Sequence, residues 1–400
     1  MLLAMTSDVV SPSCDLKRMR KQRLARLRAE MANQNVDAAV LLHGPNVTYA
    51  TGFVPDAIDA SHVTYQRAVA LVTQDRVRLH THNQTADLEC ETGSALWPEL
   101  DDDMQAMRAA VQELAGDLAG QRITIDSVNG AMARSGLFDG ARLVDSNRVL
   151  GAARLVKTDD EIACIERSQI LTEWAMEPAR EACAIGATRR DVAGVFLAAL
   201  RGSGGDHNEI DPIFQPMPRA QTDGPYTSSG AIAFPTGVGN PTYEKGDLVW
   251  VDSGHGYQGY ASDYGRTWIV GREPSAAERS CFDRWLTITQ ACYDAIKPGV
   301  TLGDVARQAI AANGGTRPWL PHFYLAHGVG LESAEMPMIG TDLGDEFDDN
   351  FVLTPGMILV LEPVIWDDGI AGYRAEEIVV VTDDGNRILS SFPGYAPFDS

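Results

Sequence analysis

The 400-residue chain is poor in positive charge and in paired cysteines. It contains 33 lysines and arginines against 55 aspartates and glutamates, which gives a formal net charge of −22. Binding to nucleic acid or to anionic lipid needs a surplus of positive charge, so we expect neither nucleic acid nor a membrane as a partner. The six cysteines form no CxxC pair, which argues against a zinc ribbon and against a disulfide scaffold.

Long apolar runs are also missing from the sequence. No segment approaches the roughly 18 apolar residues of a membrane-spanning helix. Near the N-terminus the basic residues follow the short apolar stretch, which is the wrong order for a secretory signal. Hydrophobic residues make up 44% of the chain, as in ordinary globular proteins. We therefore expect a globular, cytoplasmic protein with free thiols.

Short apolar segments alternate with helical patterns in the first part of the chain, which indicates an α/β domain. A turn is expected at Gly44-Pro45, directly after the first apolar segment. Apolar spacing predicts helices at residues 16–33 and 101–118. Strands are predicted at residues 36–44, 68–72, 77–82, 122–125 and 142–144.

A second domain is predicted to open with a helix after Thr158, because Glu161 stands in the capping-box position three residues later. Residues 202–246 are rich in glycine, proline, serine and threonine, and we expect them to be mostly functional loop. Helices are then predicted at residues 275–295 and 302–312, and strands at residues 248–251, 357–361 and 378–381.

Acidic residues stand at the ends of apolar strands in this second half. Asp252 follows LVWV, and Asp263 comes eleven residues later, after glycines that allow the chain to return to the same place. Glu362 follows MILVL, and Glu376 and Glu377 precede IVVV, where strand alternation directs only one of the two inward. A buried carboxylate requires a cation or several donors, although one such residue alone could equally cap a turn or lie at a sheet edge.

A histidine, His327 in AHGVGLE, adds an imidazole to these acids. An oxygen-rich set with one imidazole suits Mn²⁺, Co²⁺, Fe²⁺ or Zn²⁺. Four carboxylates are enough to bridge two such ions about 3.5 Å apart, which would hold a hydroxide between them and polarise a carbonyl. The sequence therefore predicts metal-assisted hydrolysis.

The order Asp, Asp, His, Glu, Glu resembles that of the pita-bread metallohydrolases, which include methionine aminopeptidase, aminopeptidase P, prolidase and creatinase. The stretches VDSGHGYQGYASDYGRT, HGVGLE, LEP and RAEE are similar to the motifs that carry this order in the family. VDAAVLLHGPNVTYATGF resembles the N-terminal domain of the two-domain branch. The resemblance therefore covers nearly the whole chain.

The resemblance implies a fold and an assembly. Residues 1–153 would form a creatinase-like α/β domain of the prolidase kind. Residues 154–400 would form an α+β pita-bread catalytic domain, in which helices back a curved antiparallel sheet. Because the two-domain branch is usually dimeric, a homodimer is expected.

The resemblance also implies a role for each residue of the set. Two divalent ions (Mn, Co, Fe or Zn) would be bound, with Asp263 and Glu376 bridging them. Asp252 would bind one ion, and His327 and Glu362 would bind the other.

Two further roles follow from the same resemblance. Glu362 would also be the catalytic proton shuttle for the attacking water. Arg374, in RAEE, would either support the metal ligands or anchor the substrate.

Two positions depart from the family pattern. Peptidases of the family usually have a second histidine seven residues after the metal-binding one, where this chain has Ala334. They also usually have a histidine before the strand that carries the first aspartate, and residues 234–247 contain none. We predict that His322 serves as a catalytic substitute and that His255 and Tyr260 contact substrate, although each could equally be an exposed loop residue.

Three functions are consistent with this pattern. The first is a metallopeptidase of the Xaa-Pro dipeptidase or aminopeptidase type, acting on short peptides. The alternative is a non-peptidase enzyme of the same fold that acts on a small metabolite, such as an amide hydrolase or a dimethylsulfoniopropionate-type lyase; the absent histidines favour it. The third is a non-enzymatic binding module, which the intact ligand set disfavours.

Overall fold

The structure, a computed structural model, describes residues 13–54, 68–82, 88–98, 100–203, 212–217, 240–367, 369–390 and 394–399. The chain divides into two compact units, Ser13–Glu161 and Ile162–Ser400. This division lies close to the boundary predicted between residues 153 and 154. Most of the glycine-rich segment 202–246 lies outside the described residues.

The first unit is an α/β domain built on one mixed sheet. Among the described residues the strand order is β4-β3-β2-β1-β5-β6, in which β1 and β5 are parallel and β1 and β2 antiparallel. The strands are β1 (Ala38–Leu41), β2 (Ala68–Thr73), β3 (Val77–Thr81), β4 (Glu91–Gly93), β5 (Arg122–Ile125) and β6 (Arg142–Asp145). The helices are α1 (Leu16–Asn33), α2 (Gly44–Thr51), α3 (Met104–Ala115), α4 (Gly130–Ser135) and α5 (Leu150–Leu155).

The predicted apolar face of α3 forms part of the core of this unit. Met104, Met107 and Val111 are buried in one cluster with sheet residues such as Val40 and Val69. Residues 101–103 form a 3₁₀ turn rather than the first turn of the helix. The helix itself ends at Ala115, before the predicted residue 118, because Gly116 adopts a positive φ.

The turn predicted at Gly44-Pro45 is instead the start of α2. Proline fits the first turn of a helix because the amide that it lacks has no intrahelical partner there. Asp126, just after β5, accepts hydrogen bonds from the backbone N–H groups of Leu42 and His43 and from Asn46 Nδ2. The carboxylate therefore satisfies the donors where β1 runs into α2.

The second unit combines antiparallel sheets with helices. Among the described residues one sheet has the order β11-β8-β7, and another has the order β13-β12-β14-β17-β18. The helices are α6 (Asp159–Ala182), α7 (Arg189–Gly202), α8 (Ala276–Ala295), α9 (Leu302–Ala312) and α10 (Asp345–Asn350). The strands are β7 (Ile213–Pro216), β8 (Leu248–Ser253), β9 (Gly256–Tyr257), β10 (Tyr260–Ala261), β11 (Tyr264–Ile269), β12 (Ala326–Gly328), β13 (Glu335–Ile339), β14 (Ile358–Leu361), β15 (Val364–Asp367), β16 (Ala371–Arg374), β17 (Glu377–Val381) and β18 (Asn386–Ile388).

The predicted helix starts in this half are confirmed by their caps. The backbone N–H of Thr158 donates to Glu161 Oε2, and the N–H of Glu161 donates back to Thr158 Oγ1, as in a capping box. Ser275 caps α8 and Thr301 caps α9 in the same way. Within the described ranges no helix is both long enough and apolar enough to span a membrane.

The two sheets of the second unit are joined beside β11. The hydroxyl of Thr267 donates to the carbonyl of Arg374 and accepts from its backbone N–H. The N–H of Glu376 donates to the carbonyl of Gly265. These bonds fix the start of β17 against β11 and bring the carboxyl-bearing ends of both sheets to one place.

Candidate metal centre

The two aspartates come from neighbouring antiparallel strands of the three-stranded sheet. Asp252 lies near the end of β8, opposite Gly265 of β11, and Asp263 immediately precedes β11. Between them the chain folds into the small β9–β10 hairpin, where Gln258 and Gly259 both adopt positive φ. A two-residue turn of this kind matches the twist of its strands, and glycine adopts it without strain. The return predicted for the chain is therefore present.

The glutamates and the histidine come from the five-stranded sheet. Glu362 directly follows β14, and Glu376 directly precedes the antiparallel strand β17, so both stand at the same end of that strand pair. His327 lies in β12, opposite Val360 of β14. Three neighbouring strands thus present their functional side chains to the aspartates.

The structure brings all five predicted ligands together, and all five are buried. One carboxylate oxygen from each of Asp252, Asp263 and Glu376 lies within 4.8 Å of the others. His327 Nε2 lies 3.3 Å from Asp263 Oδ2 and 3.3 Å from Glu362 Oε1. Asp263 therefore belongs to both groups of three, and the five residues form one cluster, here called the acid cluster.

Arg374 is the cation inside the acid cluster. Its Nη1 lies 3.0 Å from Asp252 Oδ2, and its Nη2 donates to Glu362 Oε2 at 2.7 Å and also contacts Glu376. The guanidinium is buried and stacks over the Trp250 ring at 4.8 Å. Of the two predicted roles, this geometry fits support of the ligands, because the guanidinium is directed at three of their carboxylates.

The acid cluster fits divalent cations on its own chemistry. Four carboxylates and one guanidinium leave three negative charges uncompensated among the described groups when His327 is neutral. Asp252 Oδ1, Asp263 Oδ1 and Glu376 Oε2 are buried and have no hydrogen-bond donor in the described part of the chain. Burial without a partner costs several kcal/mol for an ionised group, so these oxygens are suited to a cation. Oxygen ligands with one imidazole match the donors that hard and intermediate divalent ions prefer.

The same crowding shifts the acid–base properties of the metal-free cluster. Burial raises the pKa of Asp252 to about 7 and raises the pKa of Glu376 well above its usual range. Burial alone would lower the pKa of His327, but its contacts with Asp263 and Glu362 raise it to about 10. Without cations the cluster therefore retains protons, and a metal ion must displace them.

Gly265 is a functional position that the spacing of the motifs did not reveal. A Cβ at this residue would lie 2.7 Å from Cδ and from Oε2 of Glu376. The Glu376 side chain therefore crosses β11 where only glycine leaves room for it. In the sequence, the glycine between Asp263 and Arg266 in SDYGRT is the feature that points to this contact.

A buried ion pair lies behind the acid cluster. Arg266 Nη1 donates to the carbonyls of Gly265 and Glu376, and Nη2 lies 3.0 Å from Glu377 Oε1. The Tyr264 and Tyr395 rings flank the guanidinium at 4.5 and 4.8 Å. Glu376 contacts the acid cluster while its neighbour Glu377 pairs with Arg266, as strand alternation predicts, although both glutamates are buried.

The three predicted substitute residues have different surroundings. His255 and Tyr260 are only 1% exposed, so neither is an exposed loop residue. The backbone of His255 is held by the hydroxyls of Ser168 and Ser262. A substrate contact of either side chain stays a prediction.

His322 does not lie in the acid cluster. Its side chain is 51% exposed, and Nδ1 forms a hydrogen bond with the exposed carboxylate of Asp342 at 2.8 Å. Its φ of 58° directs the chain into a surface turn before β12. The prediction that His322 takes a catalytic position is therefore not supported by this geometry. Ala334, where the family usually has a histidine, is exposed, and residues 234–239 lie outside the described part of the chain.

Comparison with known proteins identifies what the chain is similar to. A model of metallopeptidase family M24 matches residues 163–383, which include the whole acid cluster, and a model of the creatinase/prolidase N-terminal domain matches residues 23–156. The Xaa-Pro dipeptidase of Pyrococcus horikoshii is 26% identical over 364 residues, which are 90% of this chain and 94% of that protein.

Solved structures show the same fold. The prolidase from Pyrococcus horikoshii matches with a TM-score of 0.70 and 23% identity over 92% of this chain and 98% of its own. The X-Pro aminopeptidase from Thermotoga maritima matches with a TM-score of 0.72 and 21% identity over 93% of this chain and 98% of its own. The predicted fold class, a creatinase-like α/β domain followed by a pita-bread domain, is confirmed.

Replacement of Gly265 by alanine is expected to weaken metal binding. The new Cβ would collide with the Glu376 side chain and displace one carboxylate of the acid cluster. Changes in groups that support metal ligands typically cost about 10- to 100-fold in affinity, and we expect a loss of that size in a calorimetric titration of metal-free protein with Mn²⁺. Gly194→Ala is the matched control, because nothing lies within 4 Å of a Cβ at that helical position. Equal Mn²⁺ affinities for the two variants would refute the view that Gly265 makes room for the Glu376 carboxylate.

The metal-free protein is expected to lose stability as the pH rises. The pKa of Asp252 is raised from 3.8 to about 7 and that of His327 from 6.5 to about 10, so both groups stabilise the fold while they are protonated. That stability is lost as the pH passes through the raised values. The melting temperature of chelator-treated protein should fall between about pH 5 and about pH 9, and less steeply for Asp252→Asn. A melting temperature that rises over this range would contradict the pKa shifts.

Proposed function

The chain belongs to metallopeptidase family M24, and we propose that it hydrolyses the peptide bond before proline in short Xaa-Pro peptides. The observation that carries the proposal is the acid cluster, in which four carboxylates and one imidazole meet at a buried place with oxygens that lack donors. The substrate class is inferred from the Xaa-Pro dipeptidase to which the chain is similar along 90% of its length.

Two overlapping groups of side chains support two divalent ions. Asp252, Asp263 and Glu376 would hold one ion, and Asp263, His327 and Glu362 would hold the other. When bound, the ions would acidify a water molecule and polarise the carbonyl of the peptide bond.

The chain's own residues would position and move the proton. Glu362 would accept the proton of the attacking water on its carboxylate and pass it to the nitrogen that leaves with proline. Arg374 holds Glu362 through two bonds to Oε2, so the other oxygen, Oε1, faces His327 and the centre of the acid cluster. The near-complete burial of these groups strengthens the electrostatic interactions among them.

We propose Mn²⁺, Co²⁺, Fe²⁺ or Zn²⁺ as the ion, because all of them accept this ligand set. Manganese is the ion to test first. A homodimer in the cytoplasm is proposed from the two-domain resemblance and the composition. Light scattering of the purified protein would test the assembly, with a monomer as the contrary result.

A peptide panel tests the substrate class. Manganese-loaded protein should release proline from Xaa-Pro dipeptides, lose this activity on treatment with a chelator and recover it when Mn²⁺ is added back. Matched Xaa-Gly dipeptides serve as controls and should be cleaved far more slowly. If fully metallated protein cleaves none of the dipeptides but turns over a small amide or dimethylsulfoniopropionate, the result favours the non-peptidase enzyme of the same fold.

Replacement of Glu362 by glutamine tests the proton shuttle. The amide keeps the shape of the side chain but cannot accept the proton of water, so kcat should fall by about 10²- to 10⁴-fold. Glu346→Gln, on the exposed face of α10, is the control and should retain the activity of the unaltered protein. The metal content of both variants should be measured by elemental analysis. A Glu362→Gln variant that binds metal and keeps its kcat would exclude the role.

A further inference from the structure

The tyrosine Tyr324 lies beside the acid cluster, three residues before His327. Its ring packs edge-on against the His327 imidazole, with the ring centroids 5.0 Å apart and the planes inclined at 64°. The ring of Phe323 stacks on it at 4.1 Å. These two contacts hold the phenol next to a proposed metal ligand.

The hydroxyl of Tyr324 is available to a ligand. It forms no hydrogen bond with any residue in the described part of the chain, and the side chain is partly exposed. By contrast, the hydroxyls of Tyr243 and Tyr395 bond to the carbonyl of Phe214 and to Glu377. The Tyr373 hydroxyl also has no hydrogen-bond partner among the described residues, but it is closed off in the core. Unlike these three, the Tyr324 hydroxyl is both without a partner among the described residues and on a partly exposed side chain.

The phenol also lies in the electrostatic field of the acid cluster. Burial raises the pKa of Tyr324, and the charges of Glu362 and Asp263 raise it further. The ring contact with His327, which itself lies 3.3 Å from both Asp263 and Glu362, places the phenol close to these carboxylates. A hydrogen-bond donor at this position would also fill a gap in the family pattern. Ala334 supplies no imidazole to the substrate, and His322 bonds to Asp342.

We propose that Tyr324 is a catalytic residue that donates a hydrogen bond to the oxygen of the scissile carbonyl, in place of the absent imidazoles. This assignment rests on the proposed peptide hydrolysis. No proton is transferred: the O–H bond remains intact, and the hydrogen bond strengthens as negative charge develops on the substrate oxygen. Donors aimed at such an oxygen act in the transition state more than in the ground state.

Tyr324→Phe tests the assignment by removing one oxygen atom. We expect kcat for an Xaa-Pro dipeptide to fall by about 10²- to 10³-fold. KM should change little, because the bond forms mainly in the transition state. Bound manganese, measured by elemental analysis, should be unchanged, which separates loss of the hydroxyl from damage to His327. Tyr293→Phe, on α8 and outside the acid cluster, is the matched control and should retain full activity.

A binding measurement separates this assignment from the proposed substrate. Methylphosphonate carries tetrahedral oxygens of the kind that the hydroxyl would bond, so its calorimetric affinity for manganese-loaded Tyr324→Phe should be about tenfold weaker than for the unaltered protein. If the unaltered protein cleaves no Xaa-Pro peptide but shows this tenfold difference, the proposed function fails, while Tyr324 is retained as a hydrogen-bond donor to an oxygen of the bound ligand. A Tyr324→Phe variant that equals the unaltered protein in both measurements overturns the assignment.

Discussion

The burial of four carboxylates at one place is the constraint on which the second unit depends. Like charges a few ångströms apart repel strongly when water is excluded, so the cluster is stable only with protons or cations inside it. Arg374 supplies one fixed positive charge and contacts three of the four acids. The remaining negative charge is of the size that divalent ions offset, and ion binding and folding stability are therefore linked in this unit.

The surrounding residues answer the same constraint by fixing where the carboxylates lie. Arg266 bonds to the backbone carbonyls of Gly265 and Glu376 and pairs with Glu377, so one buried ion pair ties β11 to β17. The missing side chain at Gly265 then lets the Glu376 carboxylate cross to the aspartates. The buried pair of Arg266 and Glu377 therefore fixes the backbone at this junction. That backbone in turn sets the position of the Glu376 carboxylate in the acid cluster.

The ligand set could be predicted from sequence, whereas its surroundings could not. An apolar strand that ends in an acid is a local pattern, and Asp252 and Glu362 both show it. The function of Gly265 and Tyr324 depends on contacts between strands or rings that spacing does not report. His322 is close to His327 in sequence, but it lies in a surface turn with a positive φ, and its imidazole bonds to a surface carboxylate. Gly-Pro likewise marks either a turn or a helix start. Here it opens α2, and Asp126 satisfies the backbone donors just before that helix.

The proposed metal ligands and the proposed substrate-contacting groups are separable parts of this site. All five proposed ligands have the family's residue types, while Ala334 replaces one family histidine, residues 234–247 contain none, and a phenol stands beside His327. An imidazole changes its charge close to neutral pH, whereas an ordinary phenol keeps its proton until about pH 10. With tyrosine as the donor, the part of the pH profile near neutrality would therefore come from the acid cluster and its ions, not from the group that contacts the carbonyl. A family member that retains the imidazoles would have both contributions.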